Sequence, residues 1–304
     1  MGTARRELIA RASNTAAEWS DWQPVATRVA LTPATLAETL DGGQSFRWRL
    51  DGEIWTGLWG ANVAQLRLHG GILKWRAPVA LHASVATALP RYLALEQDWA
   101  ALTDSLPWRS DAHLAQCLAA FPGLSLLRQP FGETLLGFLC SATKQIVQIK
   151  QMCALLAKNH GTALTSETHA MPTWEQLALV PAADLRACLL GFRARYIHET
   201  ALFLAARPGW LDETENLPYP AAKARLMELP GVGEKVADCV LLFGAGKLEA
   251  FPVDTWVLKS LARRYGLHDW KPAQVAHFGR THFGPLAGLA QQYLFAWERR
   301  HGGR

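Results

Sequence analysis

The sequence predicts an α+β protein in which an N-terminal antiparallel sheet domain packs on a larger all-helical domain. Three observations carry this. Between about Val25 and Trp75 apolar and polar residues alternate with the period of two that a half-buried strand requires. After roughly Leu89 the spacing becomes helical, broken at intervals by Gly and Pro. No repeat, low-complexity tract or Gly- and Ser-rich linker separates the two regions, so they are expected to pack directly together. The division is placed as 1–108 for the sheet domain and 109–304 for the helical one, since 304 residues can bury a large core in one or two domains.

In chain order, Phe46, Trp48 and Leu50 alternate with Arg47 and Arg49, and Asp51-Gly52 supplies a hairpin turn. Leu66 and Leu68 flank Arg67 ahead of Gly70-Gly71, which completes a meander. A dozen or so short helices are then expected between breaks at Pro122-Gly123, Pro130, Gly161, Pro172, Pro181, Gly191, Pro208-Gly209 and Pro218 to Pro220. The apolar segment Thr134 to Lys158 reads as a central buried helix or a kinked pair, interrupted at Thr143, Lys144 and Gln145. Around residues 222–245 one helix ends in Leu229-Pro230-Gly231-Val232-Gly233 and another starts at Glu234, a helix-hairpin-helix. Asp254 opens the helical run Thr255 to Tyr265, and Gly288 to Arg299 forms a last helix.

A net charge of +5, ten histidines and a pI near 9.0 lean toward a polyanionic partner. Thirteen tryptophans could stack on bases, but large aromatics are mostly core. The five cysteines are scattered, odd in number and lack C-x-x-C spacing, which argues against a disulfide framework or a zinc site and for a reducing compartment. Arg5, Arg6 and Arg11 sit in an opening stretch without a signal-peptide apolar run, and no later segment is apolar enough to span a bilayer. A soluble intracellular protein with a frayed N-terminus is expected, cytoplasmic or nuclear according to the organism.

The hairpin carries the chemistry. Gly231 and Gly233 leave backbone N–H groups bare at a helix N-terminus, with that of Val236 in the first turn, and such a terminus attracts anions. Lys235 stands in the same turn, where the positive end of the helix dipole makes an ammonium less welcome than a carboxylate. A free lysine, with a pKa of about 10.4, is a nucleophilic amine in only about one molecule in a few thousand at neutral pH. Desolvation would raise that fraction. On the hairpin alone a lysine that merely meets a phosphate is the simpler reading, and Asp254 shifts the balance. Asp254, nineteen positions further on, reads as an N-cap whose carboxylate would be rigidly held. Cys239, one turn after Lys235, shares its helix face.

Several further strings occur in a fixed order along the chain: GGQSFRW at Gly42–Trp48, LLRQ at Leu126–Gln129, FLCS at Phe138–Ser141, GFRARY at Gly191–Tyr196 and GPLAGLAQQYLF at Gly284–Phe295. Together with LPGVGEKVADC at Leu229–Cys239 and FPVDTW at Phe251–Trp256, they resemble the 8-oxoguanine DNA glycosylases of the helix-hairpin-helix superfamily over most of the chain after about residue 30. The resemblance implies a cleft between the domains that holds duplex DNA with an everted nucleotide. Lys235 would attack C1′ and leave a Schiff base that permits β-elimination, and Asp254 would stabilise positive charge on the sugar. Cys239 and Phe295 would sandwich the base, and Gln291 would read its Watson–Crick edge, donating and accepting at once. The carbonyl of Gly43 would accept the N7 hydrogen that oxidised guanine has and guanine lacks.

Arg193, Thr143 and Gln148 match the positions that fill the vacated stack and read the orphaned base, but Thr143 replaces an asparagine and Gln148 an arginine. Loss of a bidentate arginine at Gln148 weakens the case for strict preference for cytosine opposite the lesion. Trp256 likewise replaces a phosphate-contacting histidine. No organic or redox cofactor, no iron–sulfur cluster and no side-chain metal ligand are expected, whereas a cation held by hairpin carbonyls fits the family. The expected protein is a monomeric bifunctional glycosylase and abasic-site lyase for 8-oxoguanine. The alternatives are a glycosylase for another damaged purine and a non-enzymatic DNA-binding module, and the latter would lose no catalysis on Lys235→Gln.

Overall fold

The computed structural model describes residues 18–27 and 30–302; Arg5, Arg6 and Arg11, on which the expectation of a frayed terminus falls, lie outside them. Five antiparallel strands, β1 (Gln23–Pro24), β2 (Trp48–Asp51), β3 (Ile54–Trp59), β4 (Asn62–His69) and β5 (Ile72–Arg76), form one sheet in the order β1-β5-β4-β3-β2. Asp51 pairs with Ile54 across Gly52-Glu53, and His69 with Ile72 across Gly70-Gly71. Both glycines of the second turn have positive φ, 58° and 77°, as a tight two-residue hairpin needs. The alternation read from the sequence is real: Trp48, Trp55, Trp59, Leu66, Leu73 and Trp75 face one core, whereas Leu50, 48% exposed near the end of β2, escapes it.

One helix interrupts the expected strand region, and another begins ahead of the expected helical region. Pro33–Asp41 is a helix, α1, not a strand: Thr32 caps it by accepting from the Thr35 N–H at 3.1 Å, Pro33 takes the first turn, and Leu36 and Leu40, one turn apart, enter the sheet's core. The helical region likewise opens earlier than Leu89, with α2 (His82–Tyr92), because Val85, Leu89 and Tyr92 make a stripe against the sheet. Trp48 donates to the Tyr92 hydroxyl at 2.9 Å and stacks on Trp59.

Thirteen α-helices follow among the described residues. They are α3 (Trp99–Asp104), α4 (Ala112–Ala120), α5 (Phe131–Leu139), α6 (Ile146–His160), α7 (Trp174–Ala178), α8 (Ala182–Arg186), α9 (Arg193–Ala205), α10 (Trp210–Asn216), α11 (Tyr219–Leu226), α12 (Glu234–Phe243), α13 (Thr255–Tyr265), α14 (Pro272–Phe283) and α15 (Ala287–His301). Of the two readings of Thr134 to Lys158, one central helix or a kinked pair, the structure shows two helices, α5 and α6, separated by a turn in which Thr143 has φ +54°. Seven of the nine residues of α5 are buried, so it is the central helix, packed on α12 and α9. Seven of the thirteen tryptophans are buried, in keeping with the core reading. None of the described helices is long and apolar enough to cross a membrane.

The two regions are joined by direct contacts. The buried Gln44 donates to the Ser125 carbonyl and accepts from the Leu127 N–H, each at 2.9 Å, while its own carbonyl accepts from Gln129 Nε2 at 2.7 Å. Glu133 on α5 accepts from the Gly60 N–H at 2.7 Å. The cores interleave too: Phe46 belongs to the helical core and Leu127 to that of the sheet.

Candidate active site

The first turn of α12 positions Lys235. No side chain caps Gly233, so the first N–H groups of the helix are left to water or to a ligand. Gly231 has φ +78°, and a Cβ there would lie 2.8 Å from the Tyr196 ring, so the hairpin closes against α9 only because that residue is glycine. Gly233 faces open space. Val236 is buried and anchors the turn. Asp238, on the inner face of α12, accepts from the Tyr219 hydroxyl at 2.7 Å and from Lys223 Nζ at 3.0 Å, which locks α12 to α11.

The half-buried Lys235 donates from Nζ to Ser141 Oγ at 3.1 Å and lies 5.2 Å from the centroid of the Phe138 ring. Ser141 itself donates to the Phe138 carbonyl at 2.6 Å, which leaves its lone pairs for the amine. Asp254 is the N-cap that was expected: a single oxygen, Oδ1, accepts from the Trp256 and Val257 N–H groups at 3.0 and 2.8 Å. Burial pushes its carboxyl above the ordinary value, against the Val257 N–H, the neighbouring Lys235 charge and the Trp256 N–H, which pull it down. Cys239 is buried beside Lys235, and desolvation raises its thiol to about 12, so it is a neutral packing surface at physiological pH.

The base-reading candidates come from two other elements. Gly43, with φ +97°, follows α1; a Cβ there would lie 3.3 Å from Ile146 and 3.4 Å from Phe295, so the loop and the C-terminal helix touch at this point. Gln291 and Phe295 are one turn apart on α15. Gln291 is 5% exposed, and its Oε1 is buried without a protein partner. Such an acceptor is costly unless something supplies a donor. Phe46, three residues after Gly43, meets Phe138 edge-on at 5.1 Å, and Phe138 underlies Lys235, which connects the two halves of the site.

Arg193 is buried at the start of α9, bonded through Nη1 to the Leu190 carbonyl at 3.1 Å and through Nη2 to the Ala142 carbonyl and to Thr143 Oγ1, the latter at 3.1 Å. Arg193 and Thr143 are thus brought together, but the guanidinium is engaged within the protein. Gln148 is exposed and accepts from the Gln145 N–H at 3.2 Å as half of a capping box for α6. Trp256 is exposed beside Asp254. Ser141 and Gln44 were given no role from the sequence, although both lie inside strings noted there. A groove of about 970 Å3 between β2–β4 and α6 shares only Phe46 with these residues.

A family profile described as 8-oxoguanine DNA glycosylase, N-terminal domain, matches residues 27–135, and one described as HhH-GPD superfamily base excision DNA repair protein matches residues 136–281. The chain is 30% identical over 300 residues to an N-glycosylase/DNA lyase OGG1 of Arabidopsis thaliana, covering 91% of this chain and 80% of that one. Among solved structures, the apo-form of a Clostridium acetobutylicum 8-oxoguanine glycosylase/lyase superposes with a TM-score of 0.84 at 29% identity, covering 91% of this chain and 96% of the other. The same enzyme in complex with dsDNA containing cytosine opposite to 8-oxoG superposes with a TM-score of 0.83 at 27% identity, covering 94% and 99%.

Proposed function

The chain belongs to the 8-oxoguanine DNA glycosylases of the HhH-GPD superfamily, and from that premise we propose that Lys235 and Asp254 carry out base excision and strand cleavage in duplex DNA. The protein is a bifunctional DNA glycosylase and abasic-site lyase acting on 8-oxoguanine. The observation that carries the assignment of residues is the convergence of Lys235 with Ser141, Phe138, Cys239 and Asp254 at the N-terminus of α12.

The lone pair of Lys235 Nζ attacks C1′ of the everted nucleotide: the C1′–N9 bond breaks, the C1′–Nζ bond forms, and the base leaves with a proton that Nζ gives up. Asp254, fixed by its capping bonds, faces the positive charge that gathers on the sugar as the base departs, a preorganised counter-charge that needs no rearrangement. Opening of the sugar gives a Schiff base; loss of a C2′ proton and of the 3′ phosphate then cleaves the strand. Ser141 holds the amine in place by accepting from it. Gly43 supplies the carbonyl that accepts the N7 hydrogen, Gln291 reads the opposite edge, and Cys239 and Phe295 form the walls. Gly231, Gly233 and Val236 offer backbone N–H groups to phosphate. Thr143, Gln148 and Arg193 occupy the side of the orphaned base, with Arg193 released from Ala142 and Thr143 when DNA binds.

The chemistry needs no organic or redox cofactor, since nucleophile, counter-charge and elimination are supplied by side chains and substrate. The carbonyls of Leu229 and Pro230 accept from the Val232 N–H at 3.1 Å and from Thr200 Oγ1 at 3.4 Å and keep a lone pair each, so a cation held in the hairpin is compatible with them and carries no step. The test is borohydride trapping on duplexes bearing 8-oxoguanine opposite each of the four bases. A covalent complex is expected with the wild type and none with Lys235→Gln; trapping by the variant would remove Lys235 from the mechanism. Trapping yield across the four partners measures how far Thr143 and Gln148 have relaxed the opposite-base preference.

A further inference from the structure

We infer that Glu38, in the last turn of α1, is a positioning residue that sets the selectivity of base excision by tying the Gly43 loop to the helix that bears Gln291 and Phe295. The inference rests on the function proposed above. It starts from an unusual burial: Glu38 is fully buried, and its Oε1 accepts from Arg299 Nη2 at 3.0 Å and from Arg300 Nε at 2.7 Å, both on α15. Arg299 reaches further, donating from Nη1 to the Asp41 carbonyl at 3.3 Å. From α6, Lys150 Nζ donates to Asp41 Oδ1 at 2.7 Å. Three cationic side chains therefore grip the final turn of α1, immediately before the lesion-reading loop.

The grip extends into the loop itself. The Gly42 N–H donates to the Glu38 carbonyl at 3.1 Å, and a Cβ at Gly42 would lie 2.1 Å from that carbonyl oxygen and 2.8 Å from Glu38 Oε2. Gly42 must be glycine because Glu38 is where it is. The next residue, Gly43, meets Phe295 one turn before the arginines that hold Glu38. Clamp and reading contact thus join the same two elements, α1 with its loop and α15, at adjacent points.

Stability alone gives a poor account of this arrangement. A buried carboxylate loses its hydration, a hydrophobic replacement is often neutral or better, and here Oε2 is left without a partner. Positioning explains it better. Oxidised guanine differs from guanine at the contact by one N–H, so the Gly43 carbonyl has to be aimed to within about 0.5 Å of its productive place relative to Gln291 and Phe295. Those groups lie on elements far apart in sequence, and packing at a glycine loop does not hold such a tolerance unaided. Lys235 and Asp254 stand outside the clamp, on α12 and at the start of α13.

That separation gives the test. Glu38→Gln, Arg299→Gln, Arg300→Gln and the double arginine variant are compared with the full-length wild type in single-turnover assays at saturating protein. The substrates are duplexes containing 8-oxoguanine, unmodified guanine or a preformed abasic site. Excision of 8-oxoguanine is expected to fall by about ten- to a hundredfold in Glu38→Gln and in the double variant, as displacement of a reading group requires. Its ratio to guanine excision narrows, and cleavage at the abasic site stays near wild type, since no base is read there. Equal losses in excision and abasic-site cleavage would reduce Glu38 to a structural residue, and unchanged excision in the double variant would also overturn the inference. Hydrogen exchange of the segment Leu40 to Phe46 is followed in parallel, with faster exchange in the variants expected and unchanged exchange contrary. A wild type that excises no 8-oxoguanine would remove the functional reading, and the exchange result would then decide the clamp by itself.

Discussion

Asp254 carries two duties on one carboxylate, and they can be separated. Asparagine is as good an N-cap as aspartate, so Asp254→Asn keeps α13 capped while removing the counter-charge. Single-turnover excision is expected to slow by about a hundredfold or more, the scale on which a preorganised charge contributes, with DNA binding retained in a mobility-shift assay. The stability effect has the opposite sign. Because burial raises the carboxyl in the folded state, its favourable contribution is complete only below the ordinary aspartate value of about 3.9 and is lost as pH rises through the raised folded value. Above the raised folded value the ionised group therefore costs stability, so Asp254→Asn should there melt at the wild-type temperature or above, and the difference should shrink as pH falls toward the ordinary aspartate value of about 3.9. A variant that melts lower and excises normally would leave Asp254 as a cap alone. The capping role was legible in the sequence, from Asp ahead of a helical run; the upward push on its carboxyl was not, because desolvation comes from neighbours distant in sequence.

At the scale of elements, the hairpin between α11 and α12 separates two glycines that look alike in the sequence. Gly231 is left-handed and packed against Tyr196, whereas Gly233 is extended, with φ −95° and ψ −179°, and faces open space. Gly231→Ala is expected to cost about 1–3 kcal/mol in chemical denaturation, from backbone strain and the clash with Tyr196. It should also weaken DNA binding, since the N–H groups of the turn lose their aim. Gly233→Ala, without strain, should cost less, about 0.5–1 kcal/mol from a poorer N-cap residue. Equal effects would contradict this division. The hairpin, its restart at Glu234 and the run Thr255–Tyr265 were all readable from the chain, because caps and breakers act within a few residues. Helix α1 was missed although its signals are local: Thr32-Pro33 and the Leu36/Leu40 pair lay inside a stretch whose alternation suggested strands.

For the whole molecule, the question is what makes sheet and helices one body. Gln44 spans them with both ends of its amide and its main-chain carbonyl, all within the stretch that presents Gly43. Gln44→Ala leaves the Leu127 N–H and Ser125 carbonyl without that partner, at about 1–3 kcal/mol each. Calorimetry is therefore expected to show a clear loss of stability, accompanied by slower excision of 8-oxoguanine. A wild-type melting temperature would show that the junction draws its strength from elsewhere, such as Phe46 in the helical core. The sequence by itself determined the order of sheet and helices, the hairpin with Lys235, the cap at Asp254 and the interruption at Thr143 to Gln145 between α5 and α6, because each depends on residue types acting over one or two turns of chain. The tertiary structure alone decided that Ser141 receives the Lys235 amine, that Arg193 is held by Ala142 and Thr143, and that Glu38 binds Arg299 and Arg300 beside the Gly43 loop. Those contacts join positions roughly fifty to two hundred and sixty residues apart, and local propensity carries no information about which distant side chain will share a buried site.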